Sequence, residues 1–439
     1  MTYPEAKQYL DSFVNYEKNT NYSYKKALTL KRIRDFLGVI GNPQEFLRVI
    51  HIAGTKGKGS TSALVAYILR EAGFSVGLYT SPHLHDFRER IRILKPSIYR
   101  ARKKFKDFEG MISQNELSAL ARELKPKINK YNRDSKYGLL TFFEVYTAIA
   151  FLYFKRKQVD LVVLETGMGG RLDATNVAPS LVCGITPLSF EHVQKLGNSL
   201  AKIAAEKAGI IKDNRAIVIS ALQAKEARKV IVNRCKKFQA DLYEVGRQIK
   251  YFKGKKDFMI RGLKNDYKNL HVSLLGAHQI ANAALAVGLV EVLSFFGFDI
   301  STQAIQRGLK NTVWPGRCEI IKKNPLIVLD GAQNLASAQV LKSTVKDNFK
   351  YRELILVLGI SDDKDIPGIC KTLGPLADEL ILTRAQTPRA AAPEKLAGYF
   401  KRKLYLTQSV KEAKLLAGRM AQKEDLILVT GSLFVVGEF

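Results

Sequence analysis

The chain has 439 residues, too long for one ordinary domain, and suggests two or three. Hydrophobic residues at 46% and charged residues at 25% exclude extensive disorder, and no run of roughly 18 uninterrupted apolar residues marks a membrane span. Seventy Lys and Arg against 41 Asp and Glu leave a net charge of +29, which suits polyanionic partners without choosing among nucleic acid, an acidic membrane surface and small ligands.

The opening residues contain no apolar core of signal-peptide length, which predicts a soluble cytoplasmic protein. Cys183, Cys235, Cys318 and Cys370 are scattered singly and read as reduced core residues rather than a zinc site or a disulfide framework. The basic stretches "RARKKFK", "KGKK" and "YFKRK" lack the interleaved aromatics of an RNA-binding signature. They are read as solvated surface, and neither a nucleic-acid nor a membrane partner is expected.

In chain order, helical patterns near residues 4–16 and 24–38 precede the apolar strand "FLRVI", after which a glycine-rich turn opens a helix from residue 60 to about residue 71. Strand "VGLY", a helical region ending in "TFFEVYTAIAFLYFKRK", strands "DLVVLE" and "LVCGIT", helix "NSLAKIAAEKA" and strand "AIVIS" follow. This alternation predicts an α/β fold with a mostly parallel sheet. Residues 242–275 read as short strands, and "HQIANAALAVGLVEVLSFF" and "TQAIQRGL" as helices that close the first unit. Strands "LIVLD", "LILVLG", "ELILT" and "LILVT", with helices near 336–347 and at "VKEAKLLAGRMAQ", form a second, smaller α/β alternation. The boundary is placed near 309–316, giving domains 1–311 and 312–439 that are expected to meet across a cleft, a common position for a ligand site.

The stretch "HIAGTKGKGST" follows the first strand and leads into a helix. From Gly54 through Thr55, Lys56 and Gly57 to Lys58, Gly59, Ser60 and Thr61, it is one residue shorter than the common G-x-x-x-x-G-K-[ST] phosphate loop. Glycines let backbone N–H groups converge on phosphate oxygens, Lys58 neutralises the β- and γ-phosphates, and Ser60 or Thr61 can reach Mg²⁺. In "LVVLETGMGGRLDATN" an apolar strand delivers Glu165 into a glycine-rich loop, where it can hold Mg²⁺ or pair with Arg171. His192 in "SFEHVQKLGN" is left open between ligand and structural residue, and Lys207 ends a helix whose macrodipole a lysine would answer.

Taken in order, "HIAGTKGKGST", "TSPHLHDFRERIRI", "TFFEVYTA", "LETGMGGRLDATN", "LGNSLAKIAAEKAGIIK", "WPGR", "LDGAQN" and "VTGSLFVVGE" resemble the folylpolyglutamate and dihydrofolate synthases of the Mur-type ligases from end to end. The resemblance implies an N-terminal P-loop ATPase domain and a smaller C-terminal Rossmann-like domain. It implies ATP-dependent joining of L-glutamate to a folate or dihydropteroate carboxylate through an acyl phosphate, with Mg²⁺ as cofactor and a monomeric enzyme.

By motif match, residues 54–61 would hold the triphosphate, with Asn282, Arg317 and Asp330 also contacting nucleotide. Ser60, Ser81, Glu165 and His192 would serve the magnesium sites, and Lys207 matches a lysine that the family carbamylates. Ser81, Thr141, Phe143, Asp173 and Ala174 would line the folate site, with plain helix core as the other reading of Phe143. Gln333 and Ser432 would face glutamate, and Lys58, Lys207, His192 and Gln333 make up the expected catalytic set. Three positions depart from the family pattern: Lys56 for its usual Asn, Glu191 for Asp, and Gln333 for the His of D-G-A-H-N. The last opens a rival reading, a related ligase with another acceptor or amino acid; the charge motivates another, a nucleic-acid-binding NTPase.

Overall fold

Seven apolar runs assemble into the main sheet of the first unit: β1 (Val49–Ala53), β2 (Val76–Tyr79), β3 (Ile91–Leu94), β4 (Leu161–Glu165), β5 (Ser180–Ile185), β6 (Ile217–Ser220) and β7 (Leu242–Glu244). The computed structural model describes residues 1–17, 22–96, 108–255 and 257–439. The basic run at 100–106 and the end of "KGKK" therefore lie outside the described residues. The strand order is β3-β2-β4-β1-β5-β6-β7, parallel throughout except for β3, which runs antiparallel beside β2. Every residue of β1, β2 and β4 is buried, because helices cover both faces of a parallel sheet and leave no wet side for polar alternation. A small antiparallel sheet of β8 (Lys250–Lys253), β9 (Phe258–Arg261) and β10 (Asp266–Leu270) belongs to the same unit.

The helix Lys58–Glu71 leaves the carboxyl end of β1 and is buried along most of its length. The helix Thr302–Asn311 lies on it so closely that a methyl group at Gly308 would collide with the Ile68 backbone. The helical stretch His278–Phe296 is long and apolar enough to cross a membrane by composition, yet residues 283–290 are fully buried within the unit.

In the second unit β11 (Glu319–Lys323), β12 (Leu326–Leu329), β13 (Leu354–Leu358), β14 (Glu379–Leu382), β15 (Tyr405–Leu406) and β16 (Leu426–Thr430) form one sheet. Their order is β11-β12-β16-β13-β14-β15, and only β11 is antiparallel to its neighbour. Leu354, Leu356 and Leu358 of β13 face one core layer, and Ile355 and Val357 the other. By compactness this unit is 313–439 with the short segments 84–87 and 273–279, and the rest of the described chain to residue 312 forms the first.

Some elements differ from the sequence reading. The first helix is Tyr3–Asp11 rather than 4–16, because the chain beyond it turns to other partners: the Val14 carbonyl accepts from the Phe142 N–H at 3.0 Å. The first strand begins at Val49, since Pro43–Phe46 forms a 3₁₀ turn instead of leading straight into it. The helices Lys225–Phe238 and Ile366–Leu373 and the strands β3 and β11 are additional.

Candidate active site

The phosphate loop is built where β1 stops. A side chain at Gly54 would collide with Thr186, and one at Gly57, which sits at φ +83°, would come within 2.5 Å of Asn282 Oδ1. Only glycine lets the chain turn here while Asn282, nearly buried, closes over it. Lys58 then begins its helix, whose first N–H groups and positive dipole end face the loop.

Two ammonium groups converge behind that turn: Lys58 Nζ donates to the Gly54 carbonyl at 3.2 Å and Lys207 Nζ to the same oxygen at 2.6 Å. Lys207 is 2% exposed, and burial, aided by the neighbouring Lys58 charge, pulls its ammonium down to about 7 against the opposing pull of Glu191. The Glu191 carboxylate lies 3.3 Å from Lys56 Nζ. Burial pushes Glu191 up, but the charges of Lys56, Lys58, His192 and Lys207 outweigh it and hold the group at about 2. Thr61 Oγ1, in the first turn of the helix, and Thr166 Oγ1 and Thr186 Oγ1 are buried hydroxyls without a hydrogen-bond partner among the described residues, the state expected of groups that await a ligand.

Beside the loop, β4 delivers Glu165, 4% exposed, whose Oε2 accepts from the Ser81 N–H at 3.2 Å. Arg171 does not pair with Glu165. Its guanidinium makes a two-pronged contact with Glu206 at 2.8–3.2 Å, which Tyr24 Oη also joins. Side chains at Gly170 and Gly209 would crowd the Lys207 carbonyl and the Arg171 backbone respectively, so the glycine-rich loop lies flat on the end of the Lys207 helix. His192 is exposed, in the left-handed region at φ 50°, at the start of the single helical turn Val193–Leu196. Among the described residues no three His, Cys, Asp or Glu side chains converge on one point. One carboxylate with serine and threonine hydroxyls nonetheless suits Mg²⁺, which keeps waters and shares phosphate oxygens instead of using an all-protein cage.

Of the residues expected at the folate, the Phe143 ring lies against Gly167 and near Tyr79, with ring centroids 5.9 Å apart, and is half-buried rather than plain helix core. Thr141 caps its helix through a reciprocal pair with Glu144, which Arg32 grips at 2.8 Å. Asp173 is buried and accepts from Met168 N, Thr175 N and Thr175 Oγ1, so its carboxylate shapes the loop that Ala174 continues. His51, fully buried in β1, places Nε2 2.8 Å from that same Thr175 hydroxyl, and burial keeps its imidazole neutral well below the usual range. His51, Glu206 and Tyr24 fall outside the sequence candidates. His51 opens the "HIAG" stretch, whose glycines draw the eye past it, and Glu206 stands beside Lys207 in "AAEKA", where the lysine takes the attention.

In the second unit Asp330 follows β12 and accepts from Cys318 N and Ala332 N, both at 2.9 Å. Burial raises its carboxyl, and the Arg317 charge opposes that shift. Gly331 brings the pieces together: a side chain there would meet Leu433 and reach 3.6 Å from an Arg317 terminal nitrogen. Gln333 is half-buried; its backbone N–H donates to Ser337 Oγ, and its carboxamide makes no hydrogen bond among the described residues. Ser432, 3% exposed, caps the last helix by accepting from Phe434 N at 3.2 Å.

Residues 121–290 match the Mur ligase middle domain, and residues 316–433 match the Mur ligase glutamate ligase domain. The chain is 33% identical over 419 residues to the dihydrofolate synthase/folylpolyglutamate synthase of Bacillus subtilis, covering 93% of each. It superposes on Mycobacterium tuberculosis folylpolyglutamate synthase, complexed with ADP and AMPPCP, with a TM-score of 0.85 at 30% identity, over 99% of this chain and 96% of the other. Escherichia coli FolC in complex with DHPP and ADP gives a TM-score of 0.82 at 28% identity, over 98% and 96%.

Proposed function

Because this chain belongs to the folylpolyglutamate and dihydrofolate synthase family of Mur ligases, we infer that it joins L-glutamate to a folate carboxylate using ATP. A carboxylate oxygen of the acceptor attacks the γ-phosphorus, and the bond to the bridging oxygen breaks so that ADP leaves with the electron pair. The glutamate amine then attacks the acyl carbon, phosphate departs, and the amine loses its proton to give the amide. Both nucleophiles come from substrates, so the protein's share is orientation and charge neutralisation.

In this reading Lys58 and the N–H groups of residues 54–61 face the transferring phosphoryl group, with Asn282, Arg317 and Asp330 on the nucleotide. Ser60, Ser81, Glu165 and His192 would hold Mg²⁺, which when bound neutralises charge on the triphosphate. A carbamate on Lys207 replaces a cation by an anion in support of that metal. Ser81, Thr141, Phe143, Asp173 and Ala174 serve the folate, and Gln333 and Ser432 the glutamate. We place the enzyme in the cytoplasm as a monomer, with domains 1–311 and 312–439.

The observation that carries the reading is the convergence of Lys58 and Lys207 on the Gly54 carbonyl at the start of a helix, a ready site for a polyanion. The test is phosphate release from MgATP with folate or dihydropteroate, with and without L-glutamate. Release that needs both acceptor and glutamate is expected; release stimulated by nucleic acid and indifferent to glutamate overturns the reading. Dihydropteroate is included because the Bacillus subtilis relative carries both synthase names.

A further inference from the structure

Lys56 and Glu191 stand 135 positions apart in the chain and meet at 3.3 Å. We propose that they act as one positioning unit, through which the phosphate loop sets the place of His192; the proposal rests on the reading of this loop as the MgATP site.

Two segments are tied together before the ion pair is reached. The N–H groups of Thr55 and Lys56 donate to the Pro187 carbonyl at 3.2 and 3.1 Å. Thr55 Oγ1 donates to the Ser189 carbonyl and accepts from the Ser189 N–H, each at 3.2 Å. Beyond this clamp the chain moves outward: Phe190 is exposed, and His192 sits in the left-handed region, where a residue with a side chain stays only if its surroundings hold it. The carboxylate of the preceding residue, bound to Lys56, ties the backbone at this step to the phosphate loop.

The charges point the same way. Lys56, Lys58, Lys207 and His192 all act on the one Glu191 carboxylate. An anion so placed would compete with phosphate for Lys58 unless another cation engaged it, and Lys56 is that cation. The side chains are 32% and 22% exposed, too open for the pair to matter much to global stability, so its effect belongs to geometry. Two of the three departures from the family pattern, Lys56 and Glu191, are thus in contact: each lengthens or charges a side chain, and together they complete one ion pair.

The experiment titrates Mg²⁺ against ADP binding by calorimetry for wild type, Lys56→Glu, Glu191→Lys and the exchanged double variant, with thermal midpoints alongside. Each single variant is expected to raise the Mg²⁺ midpoint about tenfold with little change in melting, and the exchange to recover most of that loss. If the double variant is as impaired as Lys56→Glu, Lys56 acts on nucleotide by itself and the proposal falls. It also falls if both single variants titrate like wild type, or if wild type binds no MgADP. Should the reversed charges prevent folding, Lys56→Gln, Glu191→Gln and their combination carry the same comparison: the combination must be no worse than either single change, and additive losses overturn the coupling. Wild type that binds MgADP but joins no glutamate to folate removes the proposed reaction and leaves this coupling to the titration alone.

Discussion

The Lys207 ammonium donates to the Gly54 carbonyl at 2.6 Å, across the width of a strand and a helix that are 153 residues apart in the chain. With Lys58 on the same oxygen, the site holds two cations on one neutral acceptor, and burial together with the Lys58 charge outweighs the pull of Glu191 and drives the deeply buried one toward its free amine. A free amine is the form that adds CO₂. Incubation with ¹³C-bicarbonate near pH 8 should give a carbamate carbon signal in wild type and none in Lys207→Met; equal spectra would remove the modification.

Without CO₂ the same lysine shapes stability. Its folded value of about 7 lies below the 10.5 of the free side chain, so between these limits the unfolded chain binds more protons and stability rises with pH. The gain approaches ~1.4 kcal/mol per pH unit for one group and vanishes below about pH 7, where both states are protonated. Denaturant unfolding in CO₂-free buffers should show this slope in wild type and a flatter profile in Lys207→Met.

Lys58→Ala should fold normally and lose nearly all ligation, because in the proposed reaction the lysine is a point charge on the transferring group. Turnover within about tenfold of wild type, a loss below ~1.4 kcal/mol, would sink the role.

Glu165→Gln keeps the carbonyl oxygen that the Ser81 N–H needs and removes only the charge. It should raise the Mg²⁺ requirement more than it lowers the thermal midpoint, as should His192→Ala. Magnesium titrations that match wild type in both variants would take them out of the metal site.

Gln333 offers a neutral amide that donates and accepts but takes no charge. Gln333→His should lower the KM for glutamate by a factor worth about 1 kcal/mol and leave the KM for ATP alone. If neither form uses glutamate and another amino acid drives turnover, the related-ligase reading replaces the assignment of glutamate as the amine.

Sequence patterns exposed the parts of this molecule that have a single dominant cause. Strands β1, β4, β13 and β16 are apolar runs because both of their faces are covered, and Gly54 and Gly57 stand where backbones must turn or approach. The helix Lys225–Phe238 escaped because only Ala227, Ile231 and Cys235 are buried, a stripe one residue wide among lysines. Strand β11 escaped because Ile320 and Ile321 face solvent and give no alternation. "TFFE" carries two readings at once, a capping box and part of the proposed folate site, and the folded chain shows the Thr141 hydroxyl on Glu144. The partners of Arg171 and Lys56 lie 35 and 135 residues away, beyond any local pattern.

The order of the first sheet has one more consequence. Since β1 lies between β4 and β5, the turns after Ala53, Glu165 and Ile185 issue side by side from the middle of the sheet, and each is pinned to its neighbour: Thr166 N to the Ile52 carbonyl, Thr186 N to that of Ala53. Insertions in any of the three would push the others out of step. The pinning runs on outward, Ala221 N to the Ile185 carbonyl and Val245 N to that of Ser220, so the register set at the centre of the sheet is carried to its β7 edge.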